Sequence, residues 1–168
     1  AAIQIDGITL NIISAPDELS GNPEEPKSDT EKNKLELIGT KSENEFQGGD
    51  EKDRLYGKGG DDFLHGGDGI DKVLGGAGDD IIHGGEGDDK VKGGPGDDII
   101  HGGEGVNTVH GGSGSDIFHL HYNGVQIIHD FDPIQDSLQL DSSQSREDIT
   151  MNKTGEILHF DEVVAMII

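Results

Sequence analysis

Aspartate or asparagine stands at every ninth position across the middle of the chain: Asp53, Asp62, Asp71, Asp80, Asp89, Asp98, Asn107 and Asp116. Each follows a glycine-rich run and precedes, two residues on, a large apolar residue: Leu55, Leu64, Val73, Ile82, Val91, Ile100, Val109 and Phe118. A carboxylate is a hard anionic oxygen, and calcium takes about six to eight such oxygens, many of them carbonyls, in irregular geometry. Glycine runs supply the carbonyls. They reach φ > 0 at low cost, so the chain turns sharply and points several carbonyls into one place. Hard-cation coordination is the chemistry this spacing suits. A lone aspartate of this kind would be read as a turn cap. Eight in register argue otherwise, because like charges stacked one strand spacing apart, ~4.8 Å, repel unless a cation lies between them.

The elements that must hold these residues follow from the same period. Nonapeptides begin at Gly48, Gly57, Gly66, Gly75, Gly84, Gly93, Gly102 and Gly111, eight in a row without an insertion, and they contain 23 of the 28 glycines. A degenerate ninth unit, Gly39 to Gln47, keeps the register with Asn44 and Phe46. After each glycine turn, the apolar residue and its two neighbours form a short strand whose middle side chain points inward. One turn and one strand make half a coil, so two nonapeptides complete a coil of a right-handed parallel β-roll. The 18-residue step stacks Asn44, Asp62, Asp80, Asp98 and Asp116 on one edge, and Asp53, Asp71, Asp89 and Asn107 on the other. The pairs 62/80, 80/98, 98/116, 53/71 and 71/89 are complete in carboxylates. The pairs that include an asparagine carry less charge and are expected to be weaker sites.

This segment resembles the G-G-x-G-x-D-x-U-x nonapeptide of RTX (repeats-in-toxin, hemolysin-type) proteins, a calcium-binding β-helix repeat in which U is large and apolar. It departs from the pattern at Glu51 and Lys58, which replace glycines, and at Asn44 and Asn107. The resemblance implies an all-β parallel roll with calcium between turns stacked on one edge. It implies ligands from the carbonyls of positions one and three with the aspartate of one repeat. Carbonyls of positions two and four, with the aspartate two repeats on, complete the set. Carried onto this chain, the carbonyl donors are drawn from six loops: Gly66, Gly67, Asp68 and Gly69; Gly75, Gly76, Ala77 and Gly78; Gly84, Gly85, Glu86 and Gly87; Gly93, Gly94, Pro95 and Gly96; and Gly102, Gly103, Gly111, Gly112 and Gly114 of the last two repeats. The expectation is about five to seven calcium ions.

Alternate repeats fall on opposite sheets, which gives two outer faces. One presents Phe63, Ile81, Ile99 and Ile117 beside His65, His83, His101 and His119. Parallel sheets generally bury both faces, so residues 1–13 or the C-terminal segment are expected to cover the isoleucines. Self-association, or a ligand or transition metal on the histidines, are the alternatives. The other face presents Arg54, Lys72, Lys90 and Lys92, which either balances charge near the turns or forms a groove for an acidic polysaccharide.

Three segments are expected: residues 1–38 as N-terminal strands and an acidic linker, 39–119 as the roll, and 120–168 as a strand-rich cap or secretion flank. Residues 1–13 alternate around Asp6-Gly7 like a hairpin, and 14–34, with three prolines, read as loop. In the last segment, strands are expected at Val125 to His129, Ser137 to Leu140, Ile157 to Phe160 and Val163 to Ile168, closing the open end as a solenoid requires. Asp130, Asp132 and Asp136 are read as acidic turns or a terminal calcium site. The chain opens on Ala1 without a signal-peptide pattern, which fits a fragment or a mature product.

Composition excludes several functions. With 12 basic and 35 acidic side chains, the formal charge is −23, unsuited to holding a nucleic-acid backbone. No apolar run approaches a membrane span. No cysteine is available for a disulfide or thiolate site. The periodic histidines pair with no single nucleophile, and no HExxH, GxSxG or P-loop pattern occurs, so the chain reads as a non-enzyme. The leading reading is a calcium-binding, calcium-folded module, which the resemblance implies belongs to a secreted bacterial protein exported by a type I channel. The alternative is an acidic-polysaccharide-binding or adhesive module attached to a secreted enzyme such as a lipase, protease or alginate epimerase.

Overall fold

The computed structural model describes the backbone of residues 2–5, 8–12, 34–121, 123–140, 149–151, 156–159 and 162–168, and side chains within 34–121, 123–140 and 165–168. The described residues form strands and no helix. In chain order the strands begin with β1 (Ala2–Ile5), β2 (Ile8–Ile12), β3 (Leu35–Ile38), β4 (Glu45–Gln47), β5 (Arg54–Gly59) and β6 (Phe63–Asp68). They continue with β7 (Lys72–Ala77), β8 (Ile81–Glu86), β9 (Lys90–Pro95), β10 (Ile99–Ser113) and β11 (Ile117–Leu120). The last five are β12 (Gly124–Ile128), β13 (Ser137–Leu140), β14 (Ile149–Met151), β15 (Glu156–His159) and β16 (Glu162–Ile167).

The strands wind into a parallel β-solenoid of about six turns. Every repeat strand pairs in parallel with the strand two repeats away: Arg54 with Lys72, Lys72 with Lys90, Phe63 with Ile81, and Ile81 with Ile99. One sheet stacks β3, β5, β7, β9, the later part of β10, and β12; the other stacks β4, β6, β8, the start of β10, β11 and β13. The inward residues of successive nonapeptides form a single core column. Phe46, Leu55, Leu64, Val73, Ile82, Val91, Ile100, Val109 and Phe118 are all buried, and Leu37, Leu120, Ile128 and Ala165 extend the column at its ends.

The repeat strands are longer than the expected triplet. They run through the first glycines of the next nonapeptide, because Gly67 pairs with Gly85 and Asp68 with Glu86 one coil up. Glycine turns therefore lie on glycine turns at strand spacing, and the ladder of hydrogen bonds continues through them.

The terminal strands take a different place from the one expected. β1 and β2 form the antiparallel hairpin, and β2 pairs antiparallel with β3. At the other end β16 adds in parallel to β12, followed by antiparallel β15 and β14. Both groups lengthen the sheet that carries the cationic stripe; neither covers the isoleucine face, where Phe63 and Ile81 remain 40% and 38% exposed. An end coil with unpaired N–H and C=O groups has more to gain from an added strand than the isoleucines gain from cover. The proline-rich stretch read as loop lies almost wholly outside the described residues.

Candidate metal centres

The repeat aspartates are built into the roll by their own backbone. Each N–H donates to Oδ1 of the residue 18 positions on: Asp53 to Asp71 (2.7 Å), Asp62 to Asp80 (2.8 Å), Asp71 to Asp89 (2.8 Å), Asp80 to Asp98 (2.9 Å), Asp89 to Asn107 (2.9 Å) and Asp98 to Asp116 (2.9 Å). Their carbonyls accept from the first strand residue of the coil above, as that of Asp53 does from Lys72 N–H. The 18-residue step thus places the aspartates in two continuous stacks, and all of them are buried.

In six of the seven carboxylates one oxygen is used in this way and the other has no partner. Oδ2 of Asp62, Asp71, Asp80, Asp89, Asp98 and Asp116 is buried without a hydrogen-bond partner. The position-one glycine makes room for it. A Cβ on Gly57 would meet both Asp62 Oδ2 and the carbonyl oxygen of Gly75, one coil up. The same pair of oxygens flanks Gly66 (Asp71 with Gly84), Gly84 (Asp89 with Gly102) and Gly93 (Asp98 with Gly111). Two hard oxygens, one anionic, thus share a space that any side chain would close.

Burial dominates the acidities. Desolvation pushes the carboxyls of Asp71 and Asp98 up to about 7 and those of Asp80, Asp89 and Asp116 up to about 6. Asp62 is raised for the same reason. In each case the backbone N–H bond pulls the other way and loses, while neighbouring aspartates add repulsion. A buried carboxylate with a free oxygen is costly until a positive partner arrives. The residues present fit a hard divalent cation. Among the described residues no three His, Asp or Glu side chains converge on one point, so backbone oxygens must supply most of the ligands.

The loops carry the left-handed backbone this needs. From the repeat at Gly57 onward, positions two and four take positive φ, as in Gly76 (127°) and Gly78 (131°). Lys58 sits at position two with φ 80°, the only non-glycine among the described residues in that region.

Other expected ligands are placed differently. Asp53 Oδ2 accepts the N–H of Gly49 (2.7 Å), in the repeat where Glu51 replaces a glycine, so it is already satisfied. Asn44 Oδ1 accepts from Thr40 (2.9 Å). Asn107 keeps its place in the stack through Oδ1, but its Nδ2 donates to the carbonyls of Gly103 (3.1 Å) and Glu104 (3.3 Å). Asp136 is a further rung, since its Oδ1 accepts from Asp116 (3.0 Å) and its Oδ2 from Asp132 (2.8 Å). The spacing there is 20 rather than 18, so the period gave no sign of it. Asp130 Oδ1 accepts from Gly111 (2.9 Å). An outer ladder was also missed: Asp61 Oδ1 accepts from Asp79 (2.9 Å), Asp79 from Asp97 (2.9 Å) and Asp97 from Ser115 (2.7 Å). Its signal was the repeated Asp-Asp pair.

Both outer faces are ordered by the same register. The imidazoles of His83, His101 and His119 stack at 4.2 and 3.9 Å between centroids, with His65 5.7 Å from His83, along a groove shared with Asp68, Glu86 and Glu104. On the other sheet Arg54, Lys72 and Lys90 are in register, and Lys72 Nζ lies 5.6 Å from the Tyr56 ring centroid.

The family model described as RTX calcium-binding nonapeptide repeat (4 copies) matches residues 38–73, 47–82, 56–91, 65–100 and 83–118. No curated protein matches the chain. Among solved structures, the chain is similar to the solution structure of the AlgE6R3 subunit from the Azotobacter vinelandii mannuronan C5-epimerase, at 28% identity and a TM-score of 0.32. That match covers 60% of this chain and 46% of the other, so it spans under half of that chain's length.

Proposed function

Through residues 38–118 the chain belongs to the RTX calcium-binding nonapeptide-repeat family, and from that premise we propose that it is a calcium-binding, calcium-folded module of a secreted bacterial protein. The observation that carries this reading is the row of six buried Oδ2 atoms without a partner, those of Asp62, Asp71, Asp89 and Asp98 beside a carbonyl of the coil above. Calcium supplies the positive charge these oxygens lack. The chain's own part is positional: Oδ1 is fixed by the N–H one coil below, Oδ2 is left free, and glycine backbone brings carbonyls close. The carboxylate pairs 62/80, 80/98, 98/116 and 71/89 have both Oδ2 atoms free; in 53/71 one is taken by Gly49. Without the ion, burial and repulsion among stacked aspartates oppose folding. A chain that stays unfolded at low cytosolic calcium suits passage through a type I channel and folding outside the cell. This role is binding and folding, with no catalytic step. Isothermal titration of the chain with calcium should give several ions per molecule. A variant with all six aspartates changed to asparagine should give almost none; equal stoichiometry in the two would overturn the assignment.

The in-register row of Arg54, Lys72 and Lys90, beside Lys92, on a chain of formal charge −23 favours a second role for the folded module. A cationic strip of this kind suits an acidic polysaccharide. Retention on immobilised alginate in calcium, lost in Lys72/Lys90/Lys92→Ala, supports it; no retention refutes it.

A further inference from the structure

The two stacks end differently. One ends in acids, Asp116 and Asp136. The other runs Asp53, Asp71, Asp89 and then into neutral amides, with Asn107 followed by Gln126, its parallel partner on β12. Asn107 holds both roles of its place in the roll. Its Oδ1 accepts from Asp89, as every aspartate above another does. Its Nδ2, the atom that replaces an aspartate Oδ2, donates to the carbonyls of Gly103 and Glu104. These bonds also fix the amide orientation, since the reverse would set its oxygen against two carbonyls. Above it the Gln126 side chain fills the space beside Gly102 that holds an aspartate Oδ2 and a carbonyl at Gly66 or Gly84. Gln126 is itself buried.

We propose that the Asn107 amide takes the place of the cation in its own loop, so that the Asn107/Gln126 step of the roll holds no calcium and the ion row on this edge stops below it. The inference rests on the aspartate repeats binding calcium as proposed above. The donated hydrogens satisfy carbonyls that in other loops would turn to the ion, and Gln126 closes the space above. Asn107 is then a determinant of metal number. It sets where the ion row stops on this edge.

Native mass spectrometry in calcium tests this with the wild type and Asn107→Asp. If the wild type binds n ions, N107D should bind n + 1, because the new carboxylate removes the two donors and restores a free Oδ2. An unchanged n in N107D would overturn the inference. A wild type that binds no calcium would instead overturn the underlying assignment, so the two failures are distinct. In the calcium-saturated wild type, the Asn107 side-chain NH2 should exchange with water far more slowly than an exposed asparagine amide. Exchange at the exposed rate would mean that the donors are free, and would also overturn it.

Discussion

Asp80 stands between Asp62 and Asp98 and belongs to two steps in which both Oδ2 atoms are free, whereas Asp116 belongs to one, because the turn beyond it is not a nonapeptide. Asp80→Ala and Asp116→Ala remove one hydrogen bond of the same kind, from Asp62 N–H at 2.8 Å and from Asp98 N–H at 2.9 Å. That loss cancels in the comparison, which isolates the ions. A site filled at calcium 100-fold above its dissociation constant adds about 2.7 kcal/mol to the folded state. Loss of two such sites in D80A should cost about 5 kcal/mol, and loss of one in D116A about 3 kcal/mol. Urea unfolding at fixed calcium, followed by far-UV circular dichroism, reads the difference directly, and the calcium midpoint for folding should rise further in D80A. Equal costs in the two variants would mean that the aspartates only hold turns, and the two-site argument would fail.

The glycine at position one is needed for space rather than for backbone freedom. Gly75→Ala sets a methyl against Asp80 Oδ2 and should weaken calcium binding in titration, while an unchanged midpoint would show that the cradle is not the site. Lys58 bears the cost of a left-handed backbone, so Lys58→Gly should stabilise the calcium-loaded roll by about 1 kcal/mol in urea unfolding, and no gain would refute that strain. Acid should partly replace the metal. The folded carboxyls of Asp71 and Asp98 are raised to about 7, and those of Asp80, Asp89 and Asp116 to about 6. A raised folded value means that the metal-free roll is most stable below the ordinary carboxyl range near 4 and loses that stability as pH rises through 6–7. Calcium-stripped protein should therefore show more β signal at pH 4.5 than at pH 7.5, and a flat profile would contradict the burial of these groups.

The repeat made the roll, its two sheets, its core column and its two aspartate stacks legible, because each depends on an 18-residue step that the backbone reproduces without interruption. What the period could not carry lies where the period ends. Asp136 joins a stack at a spacing of 20, and Gln126 faces Asn107 out of step with the repeat, so only the closing coil's geometry reveals them. The terminal strands were recognisable as strands, but alternation cannot say whether a strand covers a face or extends an edge; the open N–H and C=O groups of the last coils decided that. The strands exceed the expected triplet because stacked glycine turns also pair, which the turn-forming role of glycine alone does not reveal. Asn107 could be marked as a weaker ligand from its type, but not as a donor to Gly103 and Glu104.

The central claim is that calcium completes this fold. Far-UV circular dichroism of the chain at neutral pH, first in EGTA and then through a calcium titration, measures it most directly. The six free Oδ2 atoms and the stacked charge predict a largely disordered spectrum in EGTA and a cooperative rise of β signal as calcium is added. A full β spectrum in EGTA that calcium leaves unchanged would contradict the account.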